Sequence, residues 1–403
     1  MELRMTNKRL KCVIFGDRDV IQNDSNLPEI EKLICFLISK NIKPVILSND
    51  EKPERLVLES QLKQKYQQLD WYIAERDNNP KKPRANSVKF VLEKLELEDN
   101  EAIYVGNTVN DMRTAVNGKL LFLNASWYGK NTDYGFEFQT PCEIARFVDI
   151  FCLREHLWAY AINHENLEYY ALGIYGTREE KYDYSYDARE AAKFGRGNPD
   201  FWVKYLLSTV YFSGLHEKID YITAYPGHKQ DSTSTVMEEA IITFAKCFRK
   251  KYLKNLIIRH KTATKSAYAR TDGKSIDHLN QLNTIRLNSN PCSGEKTYPK
   301  CPLHQGKTVL IIDDFCTQGY SLEAARVYVE QTGAKVILIS LLKTIIKDYE
   351  AISRIQQFSP FQVNTLSSSE YIIYRYPFGE YIIEESAHQE IRSKLDEYKN
   401  WQW

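Results

Sequence analysis

Two adjacent carboxylates late in the chain, Asp313 and Asp314, form the pattern with the clearest chemical meaning. They follow the apolar run 309–312, which predicts a buried strand, and they precede a small polar turn and a helix. The turn consists of Thr317, Gln318, Gly319, Tyr320 and Ser321. Acids at the carboxyl end of a parallel strand can accept hydrogen bonds from vicinal sugar hydroxyls, and backbone N–H groups at a helix start favour a phosphate. The segment therefore predicts a site for a phosphorylated sugar.

This order of strand, paired acids, Thr-x-Gly-x-Ser turn and helix resembles the phosphoribosyl pyrophosphate (PRPP) signature of the type I phosphoribosyltransferases. Over residues 168–345 the chain is most similar to the competence protein ComF group, through segments 193–197, 225–229 and 259–270. The cysteine zinc ribbon with which ComF proteins begin is absent. The resemblance implies that Asp313 and Asp314 hold the ribose and act in catalysis, while the turn 317–321 binds phosphate.

A basic stretch accompanies this signature in a chain whose formal charge is only +1. Residues 241–310 contain 14 Lys and Arg against 3 Asp and Glu. A local excess of this kind suits a polyanionic ligand, although it could equally be a solvated face balanced by acids elsewhere in the fold. With the resemblance, it implies a clamp for pyrophosphate formed by His228, Lys229, Arg259, Lys261 and Lys265.

A second set of polar residues lies at the ends of apolar runs in the first 145 residues. In chain order these are Asp17 and Asp19 after the run 12–15, Ser48 after 44–47, Lys82 before a helix, and Asn107 and Asp111 after 103–105. Their order and spacing resemble the four motifs of the haloacid dehalogenase (HAD) superfamily. The resemblance implies a phosphohydrolase fold that uses Mg²⁺.

The resemblance gives each of these residues a role. Asp17 would attack phosphorus, and Asp19 would act as acid and base. Ser48 would bind a phosphoryl oxygen, and Lys82, or Lys81, would neutralise the intermediate. The expected Mg²⁺ ligands, all hard oxygen donors, are Asp17, Asp19, Asn107 and Asp111.

Two departures from the HAD pattern leave an alternative open. Position 107 is Asn where the family usually has Asp, which removes a negative charge from the metal site. Gly16 occupies the position that directly follows the apolar strand, and the domain would be inactive if that position held the nucleophile. The N-terminal domain is therefore either an active phosphatase or a degenerate, ligand-sensing domain.

Strand-like runs alternate with helical patterns in both halves of the chain, which predicts an α/β class with two doubly wound, largely parallel domains. The expected domains are HAD-like over 1–145 and phosphoribosyltransferase-like over 169–345. The segment 143–163 has an amphipathic pattern, which predicts a linker helix within 146–168. A short α+β extension is expected over 346–403, with a strand-turn-strand over 371–383.

Composition limits the class of protein. Of the 403 residues, 43% are hydrophobic and 27% are charged, which is typical of a globular chain and excludes a disordered one. No apolar run reaches the length of a membrane span, and the start lacks a signal peptide pattern. Eight cysteines without a CxxC pair favour buried thiols in a reducing, cytoplasmic setting.

Three functions follow as hypotheses. The first is a bifunctional enzyme that transfers phosphoribosyl groups from PRPP and removes phosphate. The second is a PRPP- or nucleotide-sensing regulator or anti-phage defence protein with little turnover. The third, ranked last, is a ComF-like factor that handles DNA. The expected partners are a small phosphorylated metabolite and no membrane, with a second copy of the chain or an operon-encoded protein also considered.

Overall fold

The computed structural model describes most of the chain. The described residues are 9–18, 20–21, 27–129, 132–133, 136–176, 178–230, 235–264 and 277–403, with side chains from 238 onward in the helix that starts at 235. Two residues predicted for the sites, Asp19 and Lys265, lie outside these ranges.

The first sheet has six strands, all parallel, in the order β3-β2-β1-β4-β5-β6. These strands are β1 (Cys12–Gly16), β2 (Lys43–Ser48), β3 (Asp70–Ile73), β4 (Ala102–Gly106), β5 (Leu121–Ala125) and β6 (Phe136–Phe138). The helices around it are α1 (Leu27–Ser39), α2 (Pro53–Lys65), α3 (Ala85–Leu95), α4 (Val109–Asn117) and α5 (Pro141–Phe147). All residues of β1 and β4 are buried, as expected for central strands covered by helices on both faces.

A second sheet of six strands follows. Its members are β7 (Tyr160–His164), β8 (Leu167–Tyr175), β9 (Tyr221–Ala224), β10 (Lys251–Tyr252), β15 (Thr308–Cys316) and β16 (Lys335–Thr344). The order is β10-β9-β15-β16-β8-β7, parallel except for the antiparallel edge pair of β7 and β8. The central strands β15 and β16 are long apolar runs, and a parallel sheet with an antiparallel edge is common in α/β proteins.

Helices and short hairpins surround this second sheet. The helices are α6 (Tyr184–Phe194), α7 (Pro199–Phe212), α8 (Leu215–Lys218), α9 (Thr235–Cys247), α10 (Leu279–Leu282) and α11 (Tyr320–Glu330). The antiparallel pairs are β11 (Ile257–Arg259) with β12 (Ile285–Leu287) and β13 (Cys292–Ser293) with β14 (Lys296–Thr297). Gly319 precedes α11 with a φ of 89°, a left-handed conformation that glycine adopts without strain.

The linker helix predicted within 146–168 is wrong. Helix α5 ends at Phe147, a single π-helical turn covers Val148–Cys152, and residues 160–164 form strand β7. Tyr160, Ala161 and Ile162 are all buried, as in a strand that is covered on both faces. Pairing with β8 at the sheet edge satisfies the backbone of this segment and overrides its helical pattern.

The C-terminal residues add a hairpin and a helix. Strand β18 (Tyr371–Tyr376) pairs antiparallel with β17 (Tyr349–Ile355), so the strand-turn-strand expected over 371–383 is wrong in its pairing. Helix α12 (Ser386–Asn400) closes the chain. Its end lies against the first half of the molecule, where the Trp401 indole donates to Asp149 at 2.9 Å.

The two sheets share one continuous apolar core. At the junction the Tyr211 hydroxyl of α7 donates to the carbonyl of Ala102 at the start of β4 (2.6 Å). Close by, the Asn100 amide donates to the carbonyl of Phe212 (2.9 Å). No helix in the described part of the chain is long and apolar enough to cross a membrane.

Candidate functional site

The carboxyl ends of β1, β2 and β4 bring three of the predicted residues to one edge of the first sheet. Asp17 follows β1, Ser48 ends β2, and Asn107 follows β4. These strands are parallel neighbours, so the polar residues that follow them meet at the same edge. All three side chains are buried, with exposures of 4% or less.

Lys82 connects two carboxylates at this edge. Its Nζ lies 2.9 Å from Oδ1 of Asp111 and 3.3 Å from Oδ1 of Asp17. Burial alone would lower the pKa of Lys82, but the charges of the two aspartates outweigh burial and raise this pKa. The lysine is therefore held as a cation between two anions.

Asp111 is saturated with hydrogen bonds. Its Oδ1 also accepts from the Tyr104 hydroxyl (2.9 Å), and its Oδ2 accepts from the hydroxyl (2.7 Å) and the N–H (3.2 Å) of Thr108. Burial tends to raise the pKa of Asp111, but Lys82 and these donors outweigh burial and lower it. This places Asp111 as an anchor for Lys82, whereas the sequence predicted a metal ligand.

Asn49, next to Ser48, fixes the backbone of Lys82. Its Oδ1 accepts from the Lys82 N–H at 2.7 Å, and its amide donates to the Lys82 carbonyl at 3.1 Å. The hydroxyl oxygen of Ser48 accepts from the Trp71 indole at 2.9 Å, which leaves the Ser48 proton available to donate. The phosphoryl-binding role of Ser48 stays a prediction.

Asn107 holds the loop that follows β5. Its amide nitrogen donates to the carbonyl of Gly129 (2.7 Å) and to that of Ala125. The carbonyl oxygen is the atom of Asn107 that could ligate a metal.

Arg55, which the sequence did not indicate, forms an ion pair with Oδ2 of Asp17. Arg55 lies in the first turn of α2, and its side chain is 20% exposed. Asp17, Asp111, Lys82 and Arg55 together carry two negative and two positive charges. The described part of this edge is thus electrically balanced without a metal.

The second candidate site lies at the carboxyl end of β15. Burial and the neighbouring Asp314 raise the pKa of Asp313 well above its usual range, while Lys193 opposes this rise. Oδ1 of Asp313 accepts from the N–H of Asp314 (2.9 Å), and Oδ1 of Asp314 accepts from the N–H of Phe315 (2.8 Å). Asp313 therefore holds its proton more readily than an exposed aspartate would.

The turn 317–321 follows as predicted, but two of its side chains contact a carboxylate that the sequence did not indicate. The Gln318 amide and the Tyr320 hydroxyl each lie 3.3 Å from Glu350, which is on β17. The Thr317 hydroxyl lies 3.2 Å from that of Thr344. These contacts hold the side chains of Gln318 and Tyr320 at Glu350, and the phosphate-binding role of the turn stays a prediction.

Arg259 does not project into open space as a pyrophosphate clamp would, since its exposure is 2%. Its guanidinium donates to the carbonyl of Gly227 (2.6 Å), to the Thr284 hydroxyl (2.6 Å) and to the Tyr225 hydroxyl (2.9 Å). Arg259 thus fixes the loop that follows β9, which is a correction to its predicted role.

The described clamp residues other than Arg259 lie around the same loop. His228 is half-buried, whereas Lys229 and Lys261 are exposed. The carbonyl of His228 accepts from the N–H of Ala263 (2.9 Å), so the loop and the segment after β11 are adjacent. The structure therefore brings four of the five predicted clamp residues to one loop, and the fifth, Lys265, lies outside the described residues.

Comparisons with known proteins concern the first half of the chain. Residues 7–118 match the family model of haloacid dehalogenase-like hydrolases, so this part of the chain is a HAD-like hydrolase domain. No curated protein matches the chain. The predicted HAD-like domain is confirmed to this extent.

Solved structures of such hydrolases resemble this chain at low identity. The D,D-heptose 1.7-bisphosphate phosphatase from B. bronchiseptica, complexed with magnesium and phosphate, is 11% identical and has a TM-score of 0.28; 34% of this chain and 96% of that chain are covered. A HAD-superfamily hydrolase from Geobacter sulfurreducens is 14% identical, with coverages of 36% and 100% and a TM-score of 0.27. One from Ehrlichia chaffeensis is 20% identical, with coverages of 33% and 62% and a TM-score of 0.26.

Hydrolases of this family use Mg²⁺, in agreement with the predicted cofactor. In the described part of the chain, no three His, Cys, Asp or Glu side chains gather to hold a metal. Asp17 and Asn107 nevertheless present oxygen atoms at neighbouring strand ends, the donor type that Mg²⁺ prefers. The donor chemistry of these two residues fits this ion, and Asp19, the third predicted ligand, lies outside the described residues.

Proposed function

We propose that the N-terminal domain hydrolyses a phosphate ester of a small metabolite, with Asp17 as the nucleophile. The observation that carries this proposal is the Lys82 ammonium group between Asp17 (3.3 Å) and Asp111 (2.9 Å). A buried cation at this place orients the Asp17 carboxylate and offers a positive charge to the phosphoryl oxygens. Asp111 in turn keeps Lys82 charged.

In this reaction an oxygen of Asp17 attacks phosphorus, and the P–O bond to the leaving alcohol breaks. The alcohol takes its proton from Asp19, and water then attacks phosphorus to release inorganic phosphate and restore Asp17. Ser48 donates a hydrogen bond to a phosphoryl oxygen. Bound Mg²⁺, held by Asp17, Asp19 and Asn107, would neutralise charge on the phosphate.

The test is release of inorganic phosphate from a panel of sugar phosphates and nucleotides in the presence of Mg²⁺. We expect turnover by the unchanged protein and none by Asp17→Asn. Asp50→Asn, at an exposed aspartate just beyond β2, is the matched control and should retain activity. Turnover by Asp17→Asn at the rate of the unchanged protein would overturn the assignment of the nucleophile.

For the C-terminal half we propose binding of a phosphorylated ribose, with PRPP as the substrate of a phosphoribosyl transfer. The supporting observation is the half-buried pair Asp313–Asp314 directly before a turn whose Gly319 opens helix α11. Calorimetry with PRPP and ribose 5-phosphate, and an assay of pyrophosphate release with a panel of bases, test this. Binding that survives Asp313→Asn combined with Asp314→Asn would refute it.

A second candidate function is ligand sensing without turnover. The ion pairs of Asp17 with Arg55 and Lys82 favour it, because both cations compete with a metal for this carboxylate. Under this alternative, ribose 5-phosphate or PRPP binds without phosphate or pyrophosphate release. The two assays above separate the alternatives.

A further inference from the structure

Lys343 is a buried lysine at the end of β16, with an exposure of 0%. Its Nζ donates to the carbonyl of Thr317 at 2.6 Å, to that of Thr344 at 3.3 Å and to that of Lys347. An ammonium group has three N–H donors, and here each has a carbonyl acceptor. Among the residues the structure describes, no carboxylate forms an ion pair with Lys343. Burial lowers the pKa of Lys343, while Cys316 and Asp348 partly oppose this.

Two aromatic rings complete the surroundings of this ammonium group. The rings of Phe378 and Tyr160 lie 5.5 and 5.6 Å from Nζ. Their π faces attract a cation, and the carbonyl dipoles do so as well. The surroundings of Nζ thus stabilise a positive charge next to the turn 317–321.

The bond to Thr317 also decides how the turn is oriented. A trans peptide is planar, so a carbonyl of Thr317 that points to Lys343 sends the N–H of Gln318 to the opposite side. The next carbonyl, that of Gln318, accepts from the N–H of Glu350 at 2.9 Å. Both carbonyl groups therefore accept hydrogen bonds from within the protein. The N–H groups of residues 318 and 319 consequently face away from Lys343 and Glu350. Successive N–H groups with a left-handed residue among them form an anion-binding concavity.

We propose that Lys343 is a positioning residue for the phosphate-binding turn. Its ammonium group fixes the peptide of Thr317 so that the N–H of Gln318 points towards the ligand, and it adds positive charge behind the bound phosphate. This inference rests on the proposed binding of a phosphorylated ribose at the turn. Lys343 itself does not touch the ligand.

The experiment measures binding of ribose 5-phosphate and of inorganic phosphate by calorimetry to the full chain. Lys343→Met keeps the length of the side chain but removes the charge and all donors. We expect its affinity for ribose 5-phosphate to fall at least tenfold. The matched control is Lys250→Met, at another partly buried lysine whose pKa burial lowers, and its affinity should stay within twofold. Thermal unfolding without ligand verifies that each variant is folded.

If Lys343→Met does not fold, Lys343→Gln takes its place, because its shorter side chain carries no charge and has only two N–H donors for the three carbonyls. Equal affinity of the unchanged protein and the folded Lys343 variant would overturn the positioning role while leaving the phosphate site intact. Absence of binding by the unchanged protein would instead refute the proposed function of the turn, and the role of Lys343 with it.

Discussion

A Cβ atom on Gly16 would lie 2.5 Å from Oδ1 of Asp111, so the Asp111 carboxylate fills the space beside the last residue of β1. Gly16 is the position whose lack of a side chain raised the question of whether the domain is active. Packing explains the glycine at this position, because Asp111 needs this space to reach Lys82. Asp17, one residue later, brings its own carboxylate to the same lysine.

The first prediction concerns this contact. Gly16→Ala places a methyl group against a carboxylate that four donors hold in place, so the neighbour cannot move aside. We expect a loss of about 1–3 kcal/mol in the free energy of unfolding, which is typical of overpacked sites. Gly379→Ala is the control, since its Cβ would meet no atom within 4 Å and should leave stability unchanged. Denaturant titration measures both, and equal midpoints would contradict the packing role.

The second prediction concerns Lys82. Lys82→Met leaves the carboxylates of Asp17 and Asp111 buried without the cation between them. Breaking a buried pair from one side costs about 3–5 kcal/mol, so the variant should unfold at much lower denaturant concentration. The control is Lys81→Met, at the exposed lysine next to it, whose partner Glu75 is also exposed. A small loss at position 82 and a large one at 81 would assign the motif lysine to Lys81.

The sequence predicts features that depend on a local pattern, and it does not predict contacts that depend on how separate segments pack. Polar residues directly after apolar strands predicted where Asp17, Ser48 and Asn107 lie, because parallel strands share an edge. The partners Arg55 and Tyr104 could not be predicted in this way. Arg55 is on a helix surface and Tyr104 is inside a strand, so only the packed fold shows that they contact aspartates.

The segment 143–163 also shows that a sequence pattern alone does not determine which element forms. Its apolar residues fit a helical face at the start and a strand at the end, and the sequence pattern alone favours one long helix. The hairpin that pairs Tyr160 with Ala171 on β8 decides for a strand, and β8 is in turn paired with β16, which is a contact between distant positions of the chain. Likewise, the sequence predicted Arg259 as a ligand-binding cation, and only the fold shows the neutral acceptors to which it donates.

The third prediction concerns metal affinity. Mg²⁺ that ligates Asp17 competes with Arg55 for its carboxylate, because Arg55 already neutralises Oδ2. Arg55→Gln should therefore bind Mg²⁺ several-fold to about tenfold more tightly, a change equivalent to about 1 kcal/mol. Calorimetry with Mg²⁺ alone provides the measurement. Arg113→Gln, at an exposed arginine of α4, should show the affinity of the unchanged protein, and unchanged affinity in Arg55→Gln would exclude competition.

The fourth prediction concerns acid stability and His216, which is buried between the rings of Tyr211 and Phe248. Burial lowers the pKa of His216 to about 4, below the 6.5 of an exposed histidine. Between pH 4 and 6.5 the His216 side chain binds a proton more readily in the unfolded chain than in the folded one. Its contribution to the free energy of unfolding therefore decreases as the pH falls from 6.5 towards 4. The loss amounts to about 3 kcal/mol, at about 1.4 kcal/mol for each pKa unit.

His216→Phe keeps an aromatic ring in this place but cannot titrate. We expect its free energy of unfolding to depend less on pH than that of the unchanged protein between pH 6.5 and 4. His156, whose pKa the carboxylates Glu384 and Glu390 raise against burial, has the opposite sign: its stabilisation is complete below pH 6.5 and is lost as the pH rises through its folded pKa. The quantity compared is therefore the difference in the free energy of unfolding between the variant and the unchanged protein at each pH. His304→Gln, at an exposed histidine, is the control. Parallel curves for His216→Phe and the unchanged protein would show that His216 is not the group that titrates.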